Sequence, residues 1–131
     1  MLRKVFHIAL EVRNLERSVK FYRDVLGMKF ISYEAVPAEH LKIAFLEVGG
    51  VEIEMMCHEG WEKRKFADSA DSHFPHLAFE VDDMEASIRD LSRKGVTFNS
   101  EKPQSAFEGK VRWIHFPGPD GETLEIAQSL R

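Results

Sequence analysis

Cysteine is almost absent from this chain: Cys57 is the single one among 131 residues. No intrachain disulfide is available, so an oxidising compartment is neither needed nor suggested. Beside Met55 and Met56 the thiol reads as a buried structural group rather than a nucleophile. Long apolar runs are missing too, and nothing approaches the roughly 18 residues that a membrane span needs. The opening "MLRKVFHIAL" carries positive charge, but His7 and Glu11 break its apolar stretch, so it reads as a strand and not a signal peptide. The cytoplasm is the default location. There is no basic block, and the formal net charge is −4, which weighs against nucleic-acid and acidic-membrane partners.

What is present is the balance of a globular chain, with 44% apolar and 31% charged residues. In "VFHIALEV", Phe6, Ile8, Leu10 and Val12 alternate with His7, Ala9 and Glu11, as in a half-buried strand. "NLERSVKFYRDVLG" places Leu15, Val19, Tyr22 and Leu26 at helical spacing, with Asn14 as cap and Gly27 as terminator. "MKFISYEAV", "LKIAFLEV" and "VEIEMMC" read as strands, the last two joined by a tight turn at Gly49-Gly50. Residues 58–74 lose all periodicity and read as a linker or lid. The order then restarts. "PHLAFEV" is a strand, and "DDMEASIRDLSRKG" is a helix with a capping box at Asp82 and Glu85 and a stop at Gly95. "VTFNS" reads as a short strand, and "KVRWIHF" and "ETLEIAQ" form a hairpin across "PGPDG". That last stretch is turn chemistry, because it leads into a strand and not a helix.

The restart is an internal repeat. His7, Leu10, Val12, Leu15 and Ser18 match His76, Phe79, Val81, Met84 and Ser87 at an offset of 69. Phe45, Gly50, Ile53, Glu54 and Met55 match Phe116, Gly121, Leu124, Glu125 and Ile126 at an offset of 71. The slip falls in loops, where insertions are tolerated.

Taken alone, a histidine or a glutamate on the polar face of a strand is simply solvated. Here His7, Glu54, His76 and Glu125 agree in type, in face and in place within the repeat. Each lies opposite the apolar face of its strand, and small Ala9 and Ala78 leave room beside the histidines. Imidazoles and carboxylates together suit one borderline divalent ion: Ni, Zn, Co, Mn or Fe. An octahedral ion with these ligands keeps positions open for water or substrate, as catalytic sites do. Proton transfer next to a carbonyl, through a metal-bound enediolate, is the chemistry this set supports best.

Other residues carry less. His40, His73 and His115 have no repeat partner and read as surface or loop. His58 follows the Glu54 strand closely enough for a substrate contact, and Trp113 could stack on a ligand or fill core. Lys63, Arg64 and Lys65 form a solvated face that could meet an anionic substrate.

At these residues the sequence resembles the vicinal oxygen chelate superfamily, which includes glyoxalase I, methylmalonyl-CoA epimerase, extradiol dioxygenases and the fosfomycin- and bleomycin-resistance proteins. "HIALEVRNLERSVKFYRDVLGMKF", "VEIEMM", "PHLAFEVDDMEA" and "GPDGETLEI" carry the resemblance over nearly the whole chain. It implies metal ligands at His7, Glu54, His76 and Glu125, with Glu125 the proton-moving base and Glu54 a second candidate. Small bacterial glyoxalases of this kind are homodimers with metal sites between chains, whereas epimerases form the site within one chain. Two positions depart from bacterial glyoxalases, which carry Arg at the place of Glu11 and Asn near that of His58, both linked with glutathione. Glu11, His58 and Trp113 are therefore the candidate substrate contacts. "EAVPAEHLKIAFLEVGGVEIEMM" and "EGKVRWIHFP" are similar to the epimerase.

The expectation is an α+β fold in a single glyoxalase-like domain over residues 1–131. It comprises two βαβββ modules, about 5–57 and about 75–128, with mixed sheets curved around a cleft. The expected function is a metal-dependent lyase or isomerase of glyoxalase I type, acting as a homodimer on a small carbonyl compound or its glutathione or other thiol adduct. Methylmalonyl-CoA epimerase is the enzyme alternative, and a non-enzymatic small-molecule binding or resistance protein is the other.

Overall fold

Two four-stranded mixed sheets, each crossed by one main helix, make up the protein in a computed structural model that describes residues 1–66 and 74–130. The chain divides into two compact units, Met1–Lys65 and Phe66–Arg131. No helix among the described residues is long and apolar enough to cross a membrane.

In the first unit β1 (His7–Glu11) leads into helix α1 (Leu15–Lys20), followed by a π-helical turn over Phe21–Val25. Asn14 caps α1, its Oδ1 accepting from the Arg17 N–H at 2.9 Å, and Gly27 ends the segment at φ 77°. Strands β2 (Lys29–Val36), β3 (Leu41–Val48) and β4 (Val51–His58) follow as a meander, giving the sheet order β1-β4-β3-β2 with β1 parallel to β4. Gly49 and Gly50 turn the β3–β4 hairpin at φ 58° and 82°, a left-handed pair that suits a two-residue turn. Val19 and Tyr22 of the helical segment are buried together with Leu46, Ile53 and Met55 of the sheet. His58 completes β4, and Trp61–Lys63 add a short 3-10 turn where the sequence shows no periodicity.

The second unit repeats the plan with β5 (Leu77–Glu80), α2 (Met84–Arg93), β6 (Gln104–Ala106), β7 (Val111–Pro117) and β8 (Thr123–Ser129), in the order β5-β8-β7-β6. Met84, Leu91, Ile114, Phe116, Leu124 and Ile126 form its buried side.

Several local expectations need correction. The capping box at Asp82 and Glu85 does not form. Asp83 is the cap, its Oδ1 accepting from the Ala86 N–H at 2.9 Å, at the position equivalent to Asn14. Glu85 turns to Arg112 instead, and the Asp82 carbonyl accepts from the Gln128 amide at 2.8 Å. Residues 96–100 are not a strand. The Val96 N–H closes the end of α2 on the Leu91 carbonyl, and Asn99 makes one backbone bond to His115 rather than a ladder. The edge strand is β6, which pairs with β7. Finally, Phe45 is not the counterpart of Phe116. Phe116 is buried, as Leu46 is, while Phe45 lies half-buried on the opposite face.

Candidate metal centre

Each sheet brings a histidine and a glutamate together by the same register. In the first, Ala9 pairs with Glu54 across the parallel β1–β4 ladder. His7, two residues earlier on the same face, reaches diagonally, and its Nε2 lies 3.5 Å from Glu54 Oε2. In the second, Ala78 pairs with Glu125, and His76 Nε2 lies 3.7 Å from Glu125 Oε2. The glutamate side chains are 15% and 13% exposed and the histidines 35% and 37%. The carboxylates are thus held down on the sheet while the imidazoles stay reachable.

The second sheet adds a group that the repeat hides. Contrary to the expectation of a surface or loop residue, His115 lies within β7 directly opposite Glu125, and its Nε2 is 3.0 Å from Glu125 Oε1. His76, His115 and Glu125 offer ligand atoms that all lie within 4.8 Å of one another. The His76 and His115 rings are 5.1 Å apart, and Trp113 packs on His115 at 4.6 Å. The first sheet places Phe45 against His7, with ring centroids 6.2 Å apart. The available signal for His115 was alternation: Ile114 and Phe116 are apolar on one face of β7, leaving Trp113 and His115 on the other.

The other candidates fall within their own units. Glu11 pairs with Arg64 at 3.2 Å, and the Arg64 guanidinium lies over the Trp61 ring at 4.3 Å. His58 packs on Trp61 with ring centroids 4.2 Å apart, and its Nδ1 is buried with no hydrogen-bond partner among the described residues. Glu11, His58, Trp61 and Arg64 thereby form one cluster in the first unit. Cys57 is half-buried, its Sγ 3.7 Å from the Arg13 carbonyl. His40 is an exposed left-handed residue paired with Glu59, and His73 lies outside the described residues.

The donor set fits a divalent metal: imidazole nitrogens and carboxylate oxygens at short mutual distances, on sheet faces free of helix. That chemistry agrees with the chain's relatives. Residues 6–112 match the Glyoxalase/Bleomycin resistance protein/Dioxygenase superfamily, and the chain belongs to it. The lactoylglutathione lyase of Haemophilus influenzae is 30% identical, over 96% of this chain and 93% of that protein. The mitochondrial methylmalonyl-CoA epimerase of Mus musculus is 27% identical, over 98% of this chain and 74% of the other. Among solved structures, the trypanothione-dependent glyoxalase I of Leishmania major superposes with a TM-score of 0.76 at 26% identity, covering 97% of this chain and 87% of that one. The two mixed sheets are those of the vicinal oxygen chelate βαβββ fold.

Proposed function

We propose that this chain is a divalent-metal-dependent lyase or isomerase of glyoxalase I type, and that His7, Glu54, His76 and Glu125 are its metal ligands. The observation that carries the reading is the duplicated pair: His7–Glu54 at 3.5 Å and His76–Glu125 at 3.7 Å, set by the same alanine register in both sheets. An ion held by these residues would supply Lewis-acid stabilisation of charge developing on the substrate. Glu125 removes the proton from the carbon next to the carbonyl and returns it to the neighbouring carbon. Glu54 serves as ligand and as the second candidate base. Glu11, His58 and Trp113 contact the remainder of the substrate, a small carbonyl compound or its thiol adduct. A homodimer in the cytoplasm belongs to the same reading, supported by the resemblance and by exposed Val5, Phe6, Ile31 and Tyr33.

Methylmalonyl-CoA epimerase is the second reading, supported by the 27% identity to the Mus musculus enzyme, and one observation weighs against glutathione as co-substrate. The place where bacterial glyoxalases carry a glutathione-linked Arg holds Glu11, and its carboxylate is taken up by Arg64.

Two measurements test these readings together. Elemental analysis of protein purified without a metal-affinity tag should find one divalent ion per site. Turnover of methylglyoxal with glutathione, run beside methylmalonyl-CoA, then selects the reaction. Bound metal with neither turnover would overturn the substrate class. No metal uptake at all would leave a small-molecule binding protein.

A further inference from the structure

We infer that His115 is a positioning residue that fixes the Glu125 carboxylate and makes it different from Glu54; this rests on the metal-centre reading above. The oxygens of Glu125 face different neighbours. Oε1 meets His115 Nε2 at 3.0 Å, while Oε2 is the oxygen nearest His76, at 3.7 Å. An N–H donated to Oε1 holds the carboxylate in one rotamer and leaves the Oε2 lone pairs directed toward the His76 side. His115 is itself held, because its ring packs against Trp113 at 4.6 Å and against His76 at 5.1 Å, and its backbone sits within the β7–β8 ladder. A rigid donor of this kind lowers the entropy lost when a carboxylate is oriented for ligation or proton transfer.

The first unit provides the comparison inside the same molecule. Phe45 occupies the equivalent position, opposite Glu54 across the β3–β4 ladder. A phenyl ring has no hydrogen to donate to a carboxylate oxygen, so β3 offers Glu54 no counterpart of the His115 bond. The repeat thus supplies matched carboxylates but braces only one of them from the neighbouring strand. This asymmetry distinguishes the two carboxylates: Glu125 is oriented through Oε1 by a donor on β7, and Glu54 faces a phenyl ring on β3.

The test uses Co²⁺ alone as the probe on the full chain, with H115F, H115Q and H115A beside wild type. Loss of a group that orients a metal ligand costs about 10- to 100-fold in metal affinity. H115F, which copies Phe45, should bind Co²⁺ within that range more weakly, with an altered visible spectrum and a lower kcat at little changed KM. H115Q keeps a donor for Oε1 and should restore affinity and spectrum to near wild type. H115A replaces H115F if the phenyl ring prevents folding. If H115F matches wild type in affinity, spectrum and kcat, the positioning role is overturned while the metal centre stands. If H115Q loses binding as H115F does, His115 is a ligand and not a positioning residue. If wild type binds no Co²⁺, the metal-centre reading fails and the inference falls with it.

Discussion

His115 faces Glu125 across the β7–β8 ladder, with Nε2 3.0 Å from Oε1, whereas Phe45 stands opposite Glu54 in the equivalent hairpin. The two halves of the chain therefore share a histidine–glutamate pair but differ in what stands beside the carboxylate. Glu125 has a hydrogen-bonding neighbour on the adjacent strand, and Glu54 has a phenyl ring there. That difference gives the duplicated framework a direction in which chemistry can specialise.

Metal should stabilise the fold by mass action. At free metal about 100 times the dissociation constant, binding to the native state alone adds about 2.7 kcal/mol. A chelator should lower the melting temperature of the loaded protein and metal should restore it. H7A and H76A should each lose most of that metal-dependent shift while melting, without metal, close to wild type. Equal shifts in wild type and both variants would place the metal elsewhere.

Removing the proposed base separates chemistry from folding. E125Q should lower kcat by about 10²- to 10⁴-fold, the usual range for a positioned general base. E54Q should act mainly through weaker metal binding and recover when metal is added in excess. Steady-state kinetics across a metal titration distinguish these outcomes, and recovery of E125Q by excess metal would contradict the assignment.

The helix caps offer a test independent of function. D83A should destabilise the protein by about 1 kcal/mol, and N14A by a similar amount, because each removes the acceptor for an N–H in the first helical turn. D82A should cost far less, since Asp82 contributes its backbone carbonyl to Gln128 and not its side chain to the cap. Urea unfolding reads the difference directly. A D82A loss equal to that of D83A would restore the capping box that the structure replaces.

The Glu85–Arg112 pair ties α2 to β7 and gives a pH dependence of known sign. The hydrogen bond from the Arg112 guanidinium holds the Glu85 carboxyl below its ordinary range. Its stabilisation is therefore fully present above the unfolded-state value and disappears as pH falls through the lowered native value. The pair is exposed, so the effect is small and screened by salt. R112M should be slightly less stable than wild type near neutrality, and the gap should close in acid. A gap that widens in acid would have the wrong sign.

Much of the fold is legible because it is local. Asn14 and Gly27 bracket the first helical segment, and Gly49-Gly50 turns the hairpin, because each acts on backbone within a few residues of itself. The histidine–glutamate pairs are legible for another reason. Strand alternation fixes the face, and the repeat shows the same types on the same face twice. Asp83 was within reach of the same logic, since the offset of 69 that relates His7 to His76 also relates Asn14 to Asp83. The Asp82–Glu85 spacing masked it, because Glu85 finds a stronger partner in Arg112.

His115 was not legible, and the reason is a loop. Phe45 meets Glu54 nine residues later, across Gly49-Gly50, whereas His115 meets Glu125 ten residues later, across 118–122. The extra residue displaces the alignment, so Phe116 looks like the partner of Phe45 although it is buried on the other face. By itself the sequence determined the Asn14 cap, the strand faces and the duplicated acid–imidazole pairs, because period and propensity act over short stretches of chain. Only the tertiary structure decided which residue stands opposite each carboxylate, because hairpin register depends on how the connecting loop closes, and a shift of one residue exchanges a buried phenyl ring for a histidine.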